Sequence, residues 1–253
     1  MAETERATGR RSTGDALTFS LGAAALLALG ATIALGLTLP ATVEQADYSR
    51  LIAIHPGVAW ASYVAFGVTA LGGALWLWPR TRRPDWDLLA GASAEVGILL
   101  TGLTLATGAI WGKASWGVWW AWDARLTLSA LMFTLLLGYA ALRRVPGDPD
   151  TVARRSAVTG LLSVLVVPVN HFAVEWWRTL HQGRSLLQEL PGNDVDGKFI
   201  FAMTLGFLAM TLVYAWLVVH RLRVARLEAG LESDDLDEAI AARRREADTE
   251  VVT

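Results

Sequence analysis

The chain has 253 residues, a formal net charge of −2, and apolar residues at 53% of its positions. Its mean hydropathy of +0.38 is more than a soluble domain of this size needs. With no net basic field it has no means of attracting nucleic acid. It contains no cysteine, which excludes disulfides, thiolate metal sites and covalent thioether attachment of a prosthetic group.

The apolar residues fall in six long runs set off by charged clusters: residues 16–43, 51–79, 88–111, 126–142, 156–174 and 199–219. About 20 apolar residues span the hydrocarbon of a bilayer, and the fourth run is at the short end of that range. In lipid the backbone must satisfy its own hydrogen bonds, so runs of this length are helices. The fold class predicted is all-α, a polytopic membrane protein with six transmembrane helices. Arg6, Arg10 and Arg11 precede the first run as in a signal peptide. Its apolar stretch is longer than a signal core, so it is read as a retained helix.

Basic clusters set the orientation. Arg80, Arg82 and Arg83, then Arg143, Arg144, Arg154 and Arg155, occupy two short loops on the side that also holds both termini. The opposite side holds only Arg50, Lys113, Arg125, Arg178, Arg184 and Lys198. The positive-inside rule places the first set in the cytoplasm. The expected organisation is a cytoplasmic N-terminus (1–15), a six-helix domain (16–220) and a charged cytoplasmic tail (221–253), the tail either a solvated helix or disordered. Glu95, about a third of the way into the third run, is expected to snorkel or to pair with another helix.

The outward segment between the third and fourth runs reads WGKASWGVWWAWDARLT. It holds Trp111, Trp116, Trp119, Trp120 and Trp122, five of the 12 tryptophans. If its middle is helical, Trp116, Trp119, Trp120 and Asp123 share one face of a helix lying along the membrane surface. Tryptophan is enriched at bilayer boundaries, and that reading suits Trp76, Trp78, Trp86 and Trp216. Five within one loop fit the anchor reading less well, and the functional alternative is a platform for a flat aromatic ligand, with Lys113 and Arg125 as partners for its carboxylates.

The chain has four histidines. His220 is read as an interfacial residue on the cytoplasmic side. His55 and His171 lie near the outer ends of the second and fifth runs, beside the tryptophan-rich loop, and ionisable groups at such depths are functional candidates. His181 follows in an outer loop, as a third ligand or a structural residue. A flat, anionic aromatic that takes two imidazoles is haem. Glu175, one turn beyond His171, either orients that imidazole or faces outer water. Pro168, one turn before His171, is expected to kink its helix.

These motifs carry a resemblance. WGKASWGVWWAWDARLT is similar to the "WWD" signature of haem-handling membrane proteins. With HFAVEWWRTLHQG and the six-helix length, it resembles the cytochrome c maturation protein C family, also called haem exporter protein C, over roughly residues 48–220. The resemblance implies a multi-pass protein of the plasma (inner) membrane that presents haem on its outer face. Haem b would be held transiently and non-covalently, with His55 and His171 as axial ligands. Trp111, Trp116, Trp119, Trp120, Trp122, Asp123 and Arg125 would form the binding segment. The implied partners are a membrane-anchored haem chaperone that serves apocytochrome c, ABC-transporter subunits and a small single-span membrane protein. Pro56 directly follows His55, where the family has a Val-Pro pair.

An assembly factor of cytochrome c-type biogenesis is therefore expected, without turnover chemistry. The alternatives weighed are a membrane b-type cytochrome, which would bury its histidines mid-bundle, a haem transporter proper, which would need a polar path through the spans, and a larger haem lyase of the same superfamily.

Overall fold

The structure is a computed structural model that describes residues 16–42, 45–181 and 197–250. Among them the regular elements are helical: α1 (Ala16–Thr38), a 3-10 helix (Asp47–Ala53), α2 (His55–Leu77), α3 (Pro84–Trp116), α4 (Ala124–Arg144), α5 (Pro149–Ser163), α6 (Val166–Trp176) and α7 (Gly197–Glu250). Six stretches are long and apolar enough to cross a membrane, with α5 and α6 together forming the fifth. All six coincide with the runs read from the sequence, and the chain is an all-α polytopic membrane protein.

Local chemistry sets the ends. Prolines occupy the first turns of α2, α3 and α5, where a missing N–H costs nothing. The short fourth span gains length because Asp123 caps α4, its carboxylate accepting the Leu126 N–H at 2.8 Å. The fifth span breaks between α5 and α6, one turn before Pro168, whose ring excludes the carbonyl four residues back. There the Val167 N–H turns to Val164 O in a tighter 3-10 bond of 3.0 Å. The helix is interrupted within one turn of Pro168, where a disturbance was expected.

Helices in a bilayer gain little from the hydrophobic effect and associate through close packing of small residues. α2 packs against α3, α5 and α7, and α1 packs against α7. Ala61, Ala65 and Ala94 are buried at these crossings. At one of them the approach is backbone to backbone. A Cβ on Gly57 would stand 2.5 Å from Gly206 O, and a Cβ on Gly206 would stand 1.9 Å from Ala53 O. The Ser93 hydroxyl adds a buried link, bonding Ala65 O at 2.9 Å and the Tyr214 hydroxyl at 2.8 Å, which ties α2, α3 and α7.

The basic end of the bundle is laced by ion pairs. Arg143 grips Asp87 with two bonds of 2.6 and 2.9 Å, a half-buried fork geometry stronger than an exposed pair. Arg82 meets Asp150 at 2.6 Å and Arg226 meets Asp85 at 2.8 Å. Arg221 pairs with both Glu95 and Glu228, so Glu95 is engaged with another helix.

Of the tryptophans read as rim anchors, Trp76 is a buried packing residue instead, and Trp216 is part-buried against a neighbouring helix. Trp76 is buried beside Ala153 and Ala157, with the Arg82 guanidinium 4.2 Å above its ring. Trp216 lies so close over Gly22 that a Cβ there would meet its Nε1 at 2.7 Å. Both neighbours are remote in sequence, which is why span position alone misassigned them. Trp78 is exposed.

Candidate functional site

At the end of the bundle opposite these ion pairs lies a cavity of about 350 Å³, within the range of roughly 300–1,000 Å³ typical of small-molecule sites. The start of α2 contributes His55, Trp60 and Tyr63, and the end of α3 contributes Thr104, Gly108, Trp111 and Trp116. Trp120, Arg125 and Ser129 form another wall, facing Asn170 and His171 of α6, while His181, Met203 and Phe207 close the remainder.

The Trp116–Asp123 segment is not the surface helix that its 3-4 spacing suggests. Gly117 takes φ +76° and ends α3, a left-handed cap that glycine adopts without strain. Lys113 Nζ donates to Gly117 O at 2.7 Å, so this lysine closes the helix end. The chain then runs without helix until Asp123. This non-helical stretch splits the tryptophans. Trp111, Trp116 and Trp120 line the cavity. Trp119 and Trp122 are 59% and 82% exposed and lie outside its wall.

Asp123 has a second task. Its other carboxylate oxygen accepts the Leu180 N–H at 2.9 Å, which fixes the backbone immediately before His181. The His181 ring in turn lies 6.1 Å from the Trp116 ring. Loss of an N-cap acceptor costs about 0.5–2 kcal/mol, and here the same change frees the His181 loop. Asp123→Ala is expected to lower the melting temperature of the purified protein and to speed tryptic cleavage after Arg178. Unchanged cleavage kinetics would show that the loop is held by other contacts.

His55 is 8% exposed and is held from α3. Its Nδ1 lies 2.8 Å from Thr107 Oγ1, and the Trp111 ring meets it edge-on with centroids 5.6 Å apart. Trp111 is anchored by its Nε1 donating to Gln45 Oε1 at 3.0 Å. Pro56 sits in the first turn of α2, where it suits the helix start. His171 is exposed at the other wall, its ring 6.3 Å from Tyr63 and 5.0 Å from Phe172. Arg125 Nη1 donates to the Asn170 and His171 carbonyls at 3.4 and 3.3 Å, so the guanidinium is braced beside the cavity. Glu175 is exposed.

Two buried polar atoms of the wall, Trp120 Nε1 and Asn170 Oδ1, have no hydrogen-bond partner. A buried polar group left unsatisfied costs about 1–3 kcal/mol, so this wall suits a ligand with polar atoms of its own. An unmatched indole N–H and a guanidinium on one cavity favour carboxylate oxygens. Aromatic faces and three imidazoles fit a large planar metal chelate, so the residues present fit haem.

Comparison with known proteins agrees. A sequence model of the family described as "Heme exporter protein C" matches residues 5–236. The chain belongs to the haem exporter protein C family. Among curated relatives, a heme exporter protein C of Bradyrhizobium diazoefficiens is 34% identical over 206 residues, 80% of this chain and 76% of the relative. One of Haemophilus influenzae is 34% identical over 204 residues, covering 80% and 82%. A Marchantia polymorpha protein named as a putative cytochrome c biosynthesis ccmC-like mitochondrial protein is 36% identical over 149 residues, 59% and 62% of the two chains.

The structure therefore gathers His55, His171, Trp111, Trp116, Trp120 and Arg125 of this family member around one space. It keeps Trp119 and Trp122 outside that space and makes Asp123 a brace. It also brings in His181, which the sequence left open as a third ligand or a structural residue, and Thr107 behind His55. The spacing of Thr107 and Trp111, one helical turn apart, was the only sequence signal for the latter.

Proposed function

We propose that the chain holds haem b non-covalently and transiently in this cavity, at the outer face of the inner membrane, and delivers it for cytochrome c maturation. The observation that carries this reading is the convergence of three histidines, three tryptophans and Arg125 on a single cavity. Haem, when bound, supplies an iron that takes axial imidazoles and two propionates that take cations.

The chain's own residues divide that work. His55 would supply one imidazole to hold the iron. His171 is the second by its place in the motif, and His181 presents a further imidazole to the same cavity, so single variants assign the pair. Trp111, Trp116 and Trp120 supply contact area for the porphyrin, and Trp119 and Trp122 extend that aromatic surface outward at the rim. Trp120 Nε1 and Arg125 would donate to propionate oxygens. Asp123 holds the tryptophan-rich segment and the His181 loop together.

In this reading the N-terminus (1–15) and the tail (221–253) are cytoplasmic, a placement supported by the basic loops through the positive-inside rule. The protein acts as an assembly factor without turnover chemistry. It presents haem to a membrane-anchored haem chaperone and works beside ABC-transporter subunits and a small single-span protein. Binding is only moderately tight, since a carrier must release its cargo.

In cells whose c-type cytochromes depend on this chain, His55→Ala and His171→Ala are each expected to lower covalently haem-stained cytochrome c by about 10-fold or more, the scale of losses when a metal site is disturbed. The variant proteins should still accumulate in the membrane. Normal cytochrome c in both variants would overturn the reading.

A further inference from the structure

Thr107 does not line the cavity, yet it makes the one hydrogen bond of the His55 ring among the described residues, at 2.8 Å to Nδ1. The same hydroxyl is 2.8 Å from Leu103 O, one turn back on α3. A threonine hydroxyl has one proton and two lone pairs. If that proton goes to Leu103 O, the hydroxyl accepts from His55 Nδ1–H, and both contacts are hydrogen bonds. If His55 instead carries its proton on Nε2, the hydroxyl serves either Nδ1 or Leu103 O and one bond is lost. The observed pair of distances therefore favours the tautomer protonated at Nδ1.

The neighbouring residues fix the ring in that pose. A Cβ on Gly108 would approach His55 Cε1 to 3.1 Å, so even a methyl group at this position would press on the imidazole. Trp111, one turn beyond Thr107, bounds the ring edge-on at 5.6 Å. One turn of α3, Thr107 to Trp111, thus forms a socket for a side chain carried by α2. Trp111 is itself tied to Gln45.

We infer that Thr107 is a positioning residue that holds His55 with its proton on Nδ1, so that Nε2 carries the lone pair offered to iron. This rests on the reading of His55 as an axial ligand. The sense of the bond matters chemically: an imidazole that donates its distal N–H is both oriented and made more basic toward a metal. Because the donor-accepting group is a neutral hydroxyl rather than a carboxylate, the increase in basicity is small. That suits a site that must give its haem away.

The tautomer is readable without haem. Purified haem-free protein labelled with nitrogen-15 in histidine, in detergent, gives long-range proton–nitrogen correlations that distinguish the two forms, and His55→Ala identifies the His55 signals. The wild type is expected to show Nδ1–H at His55. Thr107→Val, nearly the same shape without the hydroxyl, should shift the ring toward Nε2–H or a mixture. Thr107→Ser should restore the wild-type pattern. On titration with haem, Thr107→Val should bind about 10–100-fold more weakly with a shifted reduction potential, and Thr107→Ser should recover both. Wild-type His55 protonated at Nε2 would overturn the inference with no variant needed. So would a Thr107→Val protein with unchanged tautomer and unchanged haem affinity. A haem spectrum unaltered by His55→Ala would instead overturn the ligand reading on which the inference rests, while the haem-free tautomer would still report the hydrogen bond itself.

Discussion

Replacing Gly206 by alanine is expected to prevent stable accumulation of the protein in the membrane. The added Cβ would sit 1.9 Å from the Ala53 carbonyl oxygen and 3.1 Å from its carbon. Those are backbone atoms, so no side-chain rotation relieves the clash, and the helices must separate. Overpacking a close-packed interior usually costs about 1–3 kcal/mol, and a contact this short with backbone lies at or beyond the upper end. Separation also forfeits the reciprocal fit of Gly57 against Gly206 O. Ala53 ends the 3-10 helix that leads into His55, so any variant that does fold should carry its His55 socket displaced and hold haem poorly. Gly67, also on α2, has nothing within 4 Å of its missing Cβ and provides the control. Membrane levels and melting temperatures of Gly67→Ala should match the wild type, while Gly206→Ala should fall far below. Equal levels of the two variants would show that the crossing of α2 and α7 is looser than the structure has it.

Replacing His55 by alanine is expected to have the largest effect on haem and a small one on folding. The imidazole is held at the cavity wall by one hydrogen bond and a ring contact. It lies at the end of the bundle remote from the ion pairs, and the close crossing beside it, at Ala53, Gly57 and Gly206, is made through backbone atoms that the substitution leaves in place. Its removal leaves space in an existing cavity and takes away the imidazole that the α3 socket orients. Haem should then bind more weakly and with an altered absorption spectrum. His220→Ala provides a control, because that ring lies against Trp216, 5.5 Å centroid to centroid, next to Arg221 at the ion-paired end of the bundle, and does not line the cavity. It should leave the haem spectrum unchanged.

The six spans were legible because a bilayer admits few solutions: a long apolar run must be a helix, and its ends are marked by charge. Pro168 announced its break for an equally local reason. The tryptophan-rich segment was misread because helical spacing is necessary but not sufficient for a helix. Gly117 stops α3, and Asp123 serves as a cap rather than as one more residue on a face. The charged tail, for which helix and disorder stood level, continues α7 to Glu250. It is rich in alanine, glutamate and arginine, which favour helix, and its root is tied down by the Arg221–Glu95 and Arg226–Asp85 pairs.

The candidate site was legible where depth alone decides. His55 and His171 stand at the same end of their spans, and the cavity joins them. It was not legible where a tertiary contact decides. Nothing near His181 in sequence reveals that Asp123 holds the preceding N–H, and nothing near Thr107 reveals that its hydroxyl meets a ring carried on another helix. Trp119 and Trp122 were grouped with Trp120 by proximity in the chain, yet in the non-helical stretch after Gly117 they are exposed and lie outside the cavity wall.

The most direct test of the central claim is the absorption spectrum of the purified protein supplied with haem, oxidised and reduced, beside His55→Ala, His171→Ala and His181→Ala. The account predicts a six-coordinate, low-spin haem spectrum in the wild type. It also predicts that His55→Ala and at least one of the other two variants lose it. A wild-type protein that takes up no haem, or a spectrum that none of the three substitutions alters, would contradict it and leave the tryptophan cluster as an anchor at the membrane surface.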